Sequence, residues 1–408
     1  MLVQDGTPAL GAAFAGFRAR AVVICFIIAM VDGYDTLMMS FIAPVLARDW
    51  GLSPVEMGQI FGLGYAGAVV GSFLMGPAAD RFGRRLVLVA ALALAAAATL
   101  LCSVAETPAE LMLFRFVAAI GLGGAMPAIV VLTAEHTAPE RRSGMVTLMF
   151  VGFPLGAVLG GAVTAALLHL GWRAIFVGGG VAALLVLPLA LLIPETLSRR
   201  DEAHRSRGIA ASLAGQFGEG RLPSVLCIWA GVFSILLLSY FLISWTPTVL
   251  VQAGLSPERA AIGGVLLNAG GIVGAIGLSF LINRFGPFRP VAALVAAGAV
   301  LAALMGQNVG ASVAMIVVVV ATGGCIIGGQ LNIPAMGVRL FPQAVRGAGV
   351  AWAMGIGRVG SIIGPMLGGV LLAADLGWPV LFLIAAVPAI LASLAFLLAD
   401  RVRPQSGR

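Results

Sequence analysis

Four charged side chains interrupt long apolar stretches of this 408-residue chain: Asp32, Asp35, Arg115 and Arg358. A charge deep in a bilayer costs at least about 2.5–3.5 kcal/mol on insertion scales, so such groups face an interior cavity and mark function. Asp32 falls about 18 Å along a helix beyond Arg20, near the bilayer midplane. Asp35 follows three residues later, on the same helix face. Two carboxylates held close in low dielectric do not both ionise easily, which makes the pair a usable proton site. The arginines stay charged at any working pH. With both aspartates ionised the four charges cancel, and one organic carboxylate arriving with one proton leaves that sum unchanged. The residues therefore predict joint movement of a proton and an anion. Arg358 is the first candidate for a bidentate grip on the anion's carboxylate. Arg115 is a second candidate, or a partner for Asp32 or Asp35. Tyr34, between the aspartates, is a further candidate to bind the substrate, or faces a neighbouring helix. Gln330 and Asn332, on another apolar stretch, can hydrogen-bond a ring hydroxyl or tie helices together. Trp245, Trp352, Phe153 and Phe241 can stack on a ring.

The elements that must position these groups are transmembrane helices. Sixty per cent of the residues are hydrophobic and only 10% charged, with mean hydropathy +1.07, against about 25% charged in a soluble domain. Apolar stretches of spanning length recur at 20–45, 57–78, 86–105, 109–133, 145–169, 174–193, 223–250, 258–282, 291–308, 312–337, 348–373 and 378–399, each near the ~20 residues a helix needs to cross. The runs are continuous rather than alternating, which excludes a β-barrel. The net charge of +7 is carried by arginine alone, all 24 basic residues of it. Most arginines stand at the termini or in alternate loops, among them Arg81, Arg84, Arg85, Arg141, Arg142, Arg284, Arg289, Arg339 and Arg346; Arg48, Arg173 and Arg259 stand on the opposite side. This is the positive-inside bias, not a nucleic-acid patch, and it places both termini in the cytoplasm of a bacterial inner membrane. The stretch after Arg20 is too long for a signal-peptide core and is expected to remain as the first span. Cys25, Cys102, Cys227 and Cys325 suit neither a metal site nor a disulfide framework and read as packing residues. No cofactor and no metal are expected.

The chain repeats itself. Gly51-Leu52-Ser53-Pro54 returns as Gly254-Leu255-Ser256-Pro257, Gly67 and Gly71 as Gly270 and Gly274, and Arg81-Phe82-Gly83 as Arg284-Phe285-Gly286. Pro139 and Gly144 match Pro342 and Gly347, Gly152/Gly156/Gly160 match Gly360/Gly364/Gly368, and Gly171-Trp172 matches Gly377-Trp378. A collinear series of this kind predicts a six-helix bundle over 1–193, a cytoplasmic connector over 194–222 and a second bundle over 223–408, related by an axis along the membrane normal. A cavity between such halves opens alternately to either side. Glycines four apart let helix backbones approach closely.

Between the second and third spans stands Gly76-Pro77-Ala78-Ala79-Asp80-Arg81-Phe82-Gly83-Arg84-Arg85. A carboxylate and three guanidiniums at a helix junction can form a charge-assisted latch; Glu135 and Arg142, beyond the fourth span, add gate electrostatics. The block resembles the loop signature of the major facilitator superfamily, and that resemblance implies that Asp80 helps hold the halves in one orientation. The counterpart, Asn283-Arg284-Phe285-Gly286, lacks the acid, so any latch there is weaker. Asp32-Gly33-Tyr34-Asp35, Trp245-Thr246-Pro247, Gly328-Gly329-Gln330-Leu331-Asn332 and Gly355-Ile356-Gly357-Arg358-Val359-Gly360-Ser361 together look like the aromatic acid:proton symporter family within that superfamily. The resemblance runs over nearly the whole chain. It implies uptake of a small aromatic carboxylate, such as a hydroxybenzoate or phenylpropanoid acid, together with protons.

A proton-coupled exporter of drugs or organic anions is the alternative that the same residues allow, with Arg358 favouring anionic cargo. A receptor would need a signalling domain, for which the connector and the C-terminal tail are too short. No Ser/His/Asp or metal constellation points to an enzyme. A monomer is expected in the lipid bilayer, with no nucleic-acid partner.

Overall fold

The structure is a computed structural model that describes residues 8–138, 141–195, 216–218, 220–307, 313–342 and 345–403. Most of the expected connector, along with Pro139 and Glu140, lies outside the described residues, and so does the side chain of Asp80. The described chain is helical: α1 (Pro8–Trp50), α2 (Pro54–Phe82), α3 (Arg84–Cys102), α4 (Pro108–Glu135), α5 (Arg142–Leu167), α6 (Trp172–Leu191), α7 (Leu222–Gln252), α8 (Pro257–Phe285), α9 (Phe288–Gln307), α10 (Val313–Leu331), α11 (Ile333–Leu340), α12 (Arg346–Ala373) and α13 (Trp378–Val402). Among the described residues 12 spans are long and apolar enough to cross a membrane. In lipid a helix satisfies all its own backbone polar groups, which is why apolar runs of this length take no other form.

Local sequence sets the boundaries. At the start of α2, Ser53 and Glu56 cap each other: the Glu56 amide donates to Ser53 Oγ at 3.3 Å and the Ser53 amide to Glu56 Oε2 at 2.9 Å. At the start of α8 the repeated Ser256 accepts from the Arg259 amide, with Pro257 in the first turn. The glycines that open these turns, Gly51 and Gly254, take φ +64° and +98°, a region open mainly to glycine. The tenth span is not the continuous helix expected over 312–337. It breaks at Asn332 into α10 and α11, because Pro334 has no amide to continue the ladder and its ring crowds the preceding turn.

The described chain packs as two compact units. The first takes 1–36, 66–157 and 173–198. Its core joins the buried Ile24, Ile28, Leu88, Leu92, Ile129 and Leu132. Lipid tails are as apolar as leucine, so these helices are held by close packing rather than by escape from water. Here α5 lies on α1 with Gly152 against Phe26 and Gly156 against the Met30 backbone, and a Cβ at Gly33 would strike the Phe153 carbonyl. The second unit takes 37–65, 158–172 and 199–408. Here α12 lies on α7 by the corresponding glycines, Gly360 and Gly364 against Phe233 and Leu237. The glycine series that repeats in the sequence thus makes the same crossing twice.

The second unit also holds the later part of α1 and the earlier part of α2. Phe61 meets Trp245 edge-on at 5.5 Å and Tyr65 meets Tyr240 at 4.7 Å. Trp245 donates to the Pro365 carbonyl at 2.9 Å, and the Tyr65 and Ser244 hydroxyls lie 3.3 Å apart. Gly58 and Gly369 bring α2 and α12 into backbone contact. These aromatic and small residues form a tightly packed plug within the unit.

Candidate functional site

In the first unit α1, α3 and α4 converge on Asp35, which is 3% exposed. Arg115 donates from one terminal nitrogen to Asp35 Oδ2 at 2.9 Å and from the other to the Asp35 backbone carbonyl at 3.0 Å. Thr99 donates to Asp35 Oδ1 at 2.7 Å. The carboxylate is therefore met on both oxygens by charge-assisted or neutral donors. The Phe176 ring lies 6.0 Å from the Arg115 guanidinium. Of the pairings the sequence left open for Arg115, the fold realises the one with Asp35, across 80 residues of chain. One turn earlier, buried Asp32 accepts from Thr36 at 3.4 Å. Tyr34 points away to α6, where its hydroxyl donates to the Ile175 carbonyl at 3.1 Å.

Removing one member of a buried pair strands the other charge at a cost of about 3–5 kcal/mol, whereas replacing both with apolar groups of similar size is often neutral. Asp35→Asn is accordingly expected to lower the thermal midpoint of the purified protein sharply, and a double Asp35→Leu/Arg115→Met exchange to recover most of the loss. Equal destabilisation by the single and double variants would show that the pair does not act as a unit.

In the second unit the polar groups within the spans are spent differently. Arg358 is half-buried on α12, and among the described residues no carboxylate lies within the 4.0 Å of an ion pair. Gln330 on α10 keeps a buried Oε1 with no hydrogen-bond partner among the described residues. Asn332, at the helix break, uses its amide nitrogen on the carbonyls of Ala275 at 3.2 Å and Gly328 at 3.0 Å, tying α8 to the end of α10. Buried polar groups are ordinarily satisfied. Besides Gln330 Oε1, the side chains of Trp229, Ser239, Thr246 and Thr248 keep buried polar atoms without partners among the described residues; Arg358 and Gln330 are the charged group and the amide to which an outside molecule could supply partners. Of the four aromatic candidates, Phe241 and Trp245 are buried against neighbours, and Trp352 leans on Trp229 at 6.5 Å.

The expected gate residues gather at the α2–α3 junction. Gly83, at φ +108°, turns the chain. Arg84 forms an ion pair with Glu135 at the end of α4. Arg81 lies over the Phe82 ring at 5.3 Å, Arg85 is exposed, and Arg142 donates to the Thr137 carbonyl at 3.2 Å. Glu195 was not anticipated here. Its carboxylate accepts from the Arg84 and Arg85 amides at 3.1 and 3.2 Å, capping α3 with a negative charge at the positive end of the helix dipole. A side chain at position 83 would lie 2.7 Å from Glu195 Oε2, so the glycine makes room for the cap. The detectable signal was an isolated acid just past a span end; Thr99, a lone hydroxyl in an alanine-rich span, gave a similar one.

Twelve apolar spans, membrane-embedded charges and glycine-lined crossings repeated in the two parts of the chain define a polytopic membrane transporter. The chain belongs to the Major Facilitator Superfamily, whose family model matches residues 25–347. It is 36% identical to a gallate transporter of Pseudomonas putida, over 94% of this chain and 92% of that one. It is 34% identical to the 4-hydroxybenzoate transporter PcaK of Pseudomonas aeruginosa, over 94% and 92%. Among solved structures, a bacterial homolog of the human lysosomal transporter Spinster, inward-facing and unoccupied, superposes with a TM-score of 0.78 at 18% identity, over 96% of this chain and 99% of that one. A D-xylose-proton symporter gives 0.76 at 17%, over 95% and 98%. These relatives and folds are transporters, not enzymes.

Proposed function

We propose that this chain imports a small aromatic carboxylate across the bacterial inner membrane together with a proton, by alternating access between two six-helix halves, 1–193 and 223–408. The observation that carries the reading is the unequal treatment of the two membrane-embedded arginines. Arg115 is neutralised by Asp35, while Arg358 has no acidic partner among the described residues. A fixed positive charge within lipid calls for an anion, and the relatives named for gallate and 4-hydroxybenzoate supply its class. Arg358 grips the carboxylate and Gln330 Oε1 accepts a ring hydroxyl. Asp32 carries the proton, because Asp35 is committed to Arg115. The positive-inside arginines put both termini in the cytoplasm, which makes the plug of Phe61, Tyr65, Tyr240 and Trp245 an outer closure. Asp80, Arg81, Arg84, Arg85, Glu135 and Arg142 form the cytoplasmic latch, and the protein works as a monomer.

The test is uptake of labelled 4-hydroxybenzoate and gallate by cells expressing the chain, with and without a protonophore. Accumulation above the external concentration that collapses with the protonophore is expected for at least one of them. Uptake indifferent to the proton gradient would remove the coupling, and efflux driven by an inward gradient would establish the exporter instead.

A further inference from the structure

The α2–α3 junction shows what its helix end demands: an anion. Glu195 supplies it from within the chain, and Glu135 neutralises Arg84. The repeat brings the same geometry round again at the α8–α9 junction, where Gly286 turns the chain at φ +78° and α9 begins at Phe288. No acid of the first junction recurs at its own register position there, although Asp400 lies one residue from the counterpart of Glu195. Asn283 stands for Asp80 and Val338 for Glu135; by the later register that pairs Gly171-Trp172 with Gly377-Trp378, Arg401 stands for Glu195. Of the first junction's arginines, Arg81 returns as Arg284, while Arg84 and Arg85 give way to Pro287 and Phe288; Arg289 and Arg339 are new.

Between these ends the structure has a cavity of about 300 Å³ lined by Arg284, Arg289, Arg339, Arg403, Phe288 and Asp400, among others. Among the described residues Asp400 is the only acid in that lining, and it is engaged by Arg289 at 3.2 Å and Arg403 at 3.3 Å. Arg284 lies over the Phe285 ring at 5.2 Å. Neither Arg284 nor Arg339 has a carboxylate partner among the described residues. Pro287 and Pro290 have no N–H, so the amides that α9 offers at the positive end of its dipole are those of Phe288 and Arg289. The cavity lies where the spans 257–285, 288–307, 314–340 and 379–402 end, at the membrane boundary. The exposed ring of Phe285 lines it, and Phe280, also exposed, lies earlier on the same helix.

We propose that this cavity binds the phosphate of an anionic phospholipid headgroup, which takes the place at α9 that Glu195 takes at α3. A phosphate offers acceptors for two guanidiniums and for helix amides at once. The exposed apolar surface next to the cavity suits acyl chains, and this favours a lipid over a free ion. The placement on the cytoplasmic leaflet rests on the orientation proposed above; binding itself does not.

The test is native mass spectrometry of the full-length protein titrated with phosphatidylglycerol and with phosphatidylcholine. Wild type is expected to bind phosphatidylglycerol about tenfold or more tightly, the effect of two arginines at an anionic headgroup. The Arg284→Gln/Arg339→Gln variant should lose that preference, while Arg259→Gln, on the opposite side, should keep it. If the double variant does not elute as a folded species, Arg339→Gln alone should lose part of it. No preference in wild type, or an undiminished one in the folded variants, overturns the site. Stabilisation by inorganic phosphate alone, with none from phosphatidylglycerol, overturns the lipid as its source. None of these readouts depends on which solute is transported, so a failed uptake assay and a failed lipid assay remain distinct.

Discussion

Arg358→Ala is expected to cut gradient-driven accumulation of an aromatic acid by about thirtyfold or more without lowering the thermal midpoint of the protein. Both halves of that expectation come from the same geometry. Truncating one partner of a charged contact to a ligand costs about 2–5 kcal/mol, and each 1.4 kcal/mol is a tenfold change in affinity. Arg358 has no carboxylate partner among the described residues, so its removal orphans no acid and relieves the expense of a charge in lipid. Arg115→Ala should behave oppositely on stability, because Asp35 would be stranded. Arg358→Lys keeps the charge but loses the planar fork, and should retain an intermediate rate. The measurements are labelled uptake by expressing cells and thermal unfolding of the purified variants. An Arg358→Ala protein that melts as early as Arg115→Ala would reassign Arg358 to structure; one that still accumulates substrate would remove it from binding.

What could be read from the sequence follows from what lipid forbids. A charged residue inside an apolar run stands out on any hydropathy reading, so Asp32, Asp35, Arg115 and Arg358 were visible at once. The glycine series was visible too, since backbone contact tolerates no larger residue at Gly156 or Gly364. Partner choice was not. Arg115 and Asp35 are brought together by the crossing of α1 and α4, and nothing local to either residue distinguishes Asp35 from Asp32. The Asn332 break was missed because hydropathy runs straight through it, although Pro334 was in plain view. Glu195 was assigned to a connector because its role is to meet two amides at a helix end more than a hundred residues earlier. The repeat also does not reveal that α1, α2 and α5 are divided between compact units near Thr36, Tyr65 and Ala157, since each helix is continuous through that point.

Asp32→Asn is expected to separate exchange from accumulation. With Asp35 and Arg115 cancelling one another, the charges that remain deep within the described spans, away from their ends, are Asp32 and Arg358. An empty carrier with Asp32 ionised is neutral in sum. A loaded carrier, with the substrate carboxylate on Arg358 and a proton on Asp32, is neutral as well. A carrier holding the anion without the proton bears an uncompensated negative charge, which lipid penalises. That penalty is the coupling. Asparagine has the shape of a protonated aspartate and its Oδ1 can still accept from Thr36, the contact that Asp32 makes at 3.4 Å. The variant is thus held in the loaded charge state. It should bind the anion and exchange labelled for unlabelled substrate across a proteoliposome membrane, but the empty form now carries a net positive charge and returns poorly. Net uptake should fall by about two orders of magnitude, the effect expected from a penalty near 2.5–3.5 kcal/mol, and the dependence of exchange on external pH should flatten. Asp35→Asn should not show this split, since its first effect is to strand Arg115 and destabilise the fold. If Asp32→Asn still accumulates substrate with an unaltered response to pH, the proton is carried elsewhere; if it loses exchange together with accumulation, Asp32 serves the binding of the anion rather than its coupling.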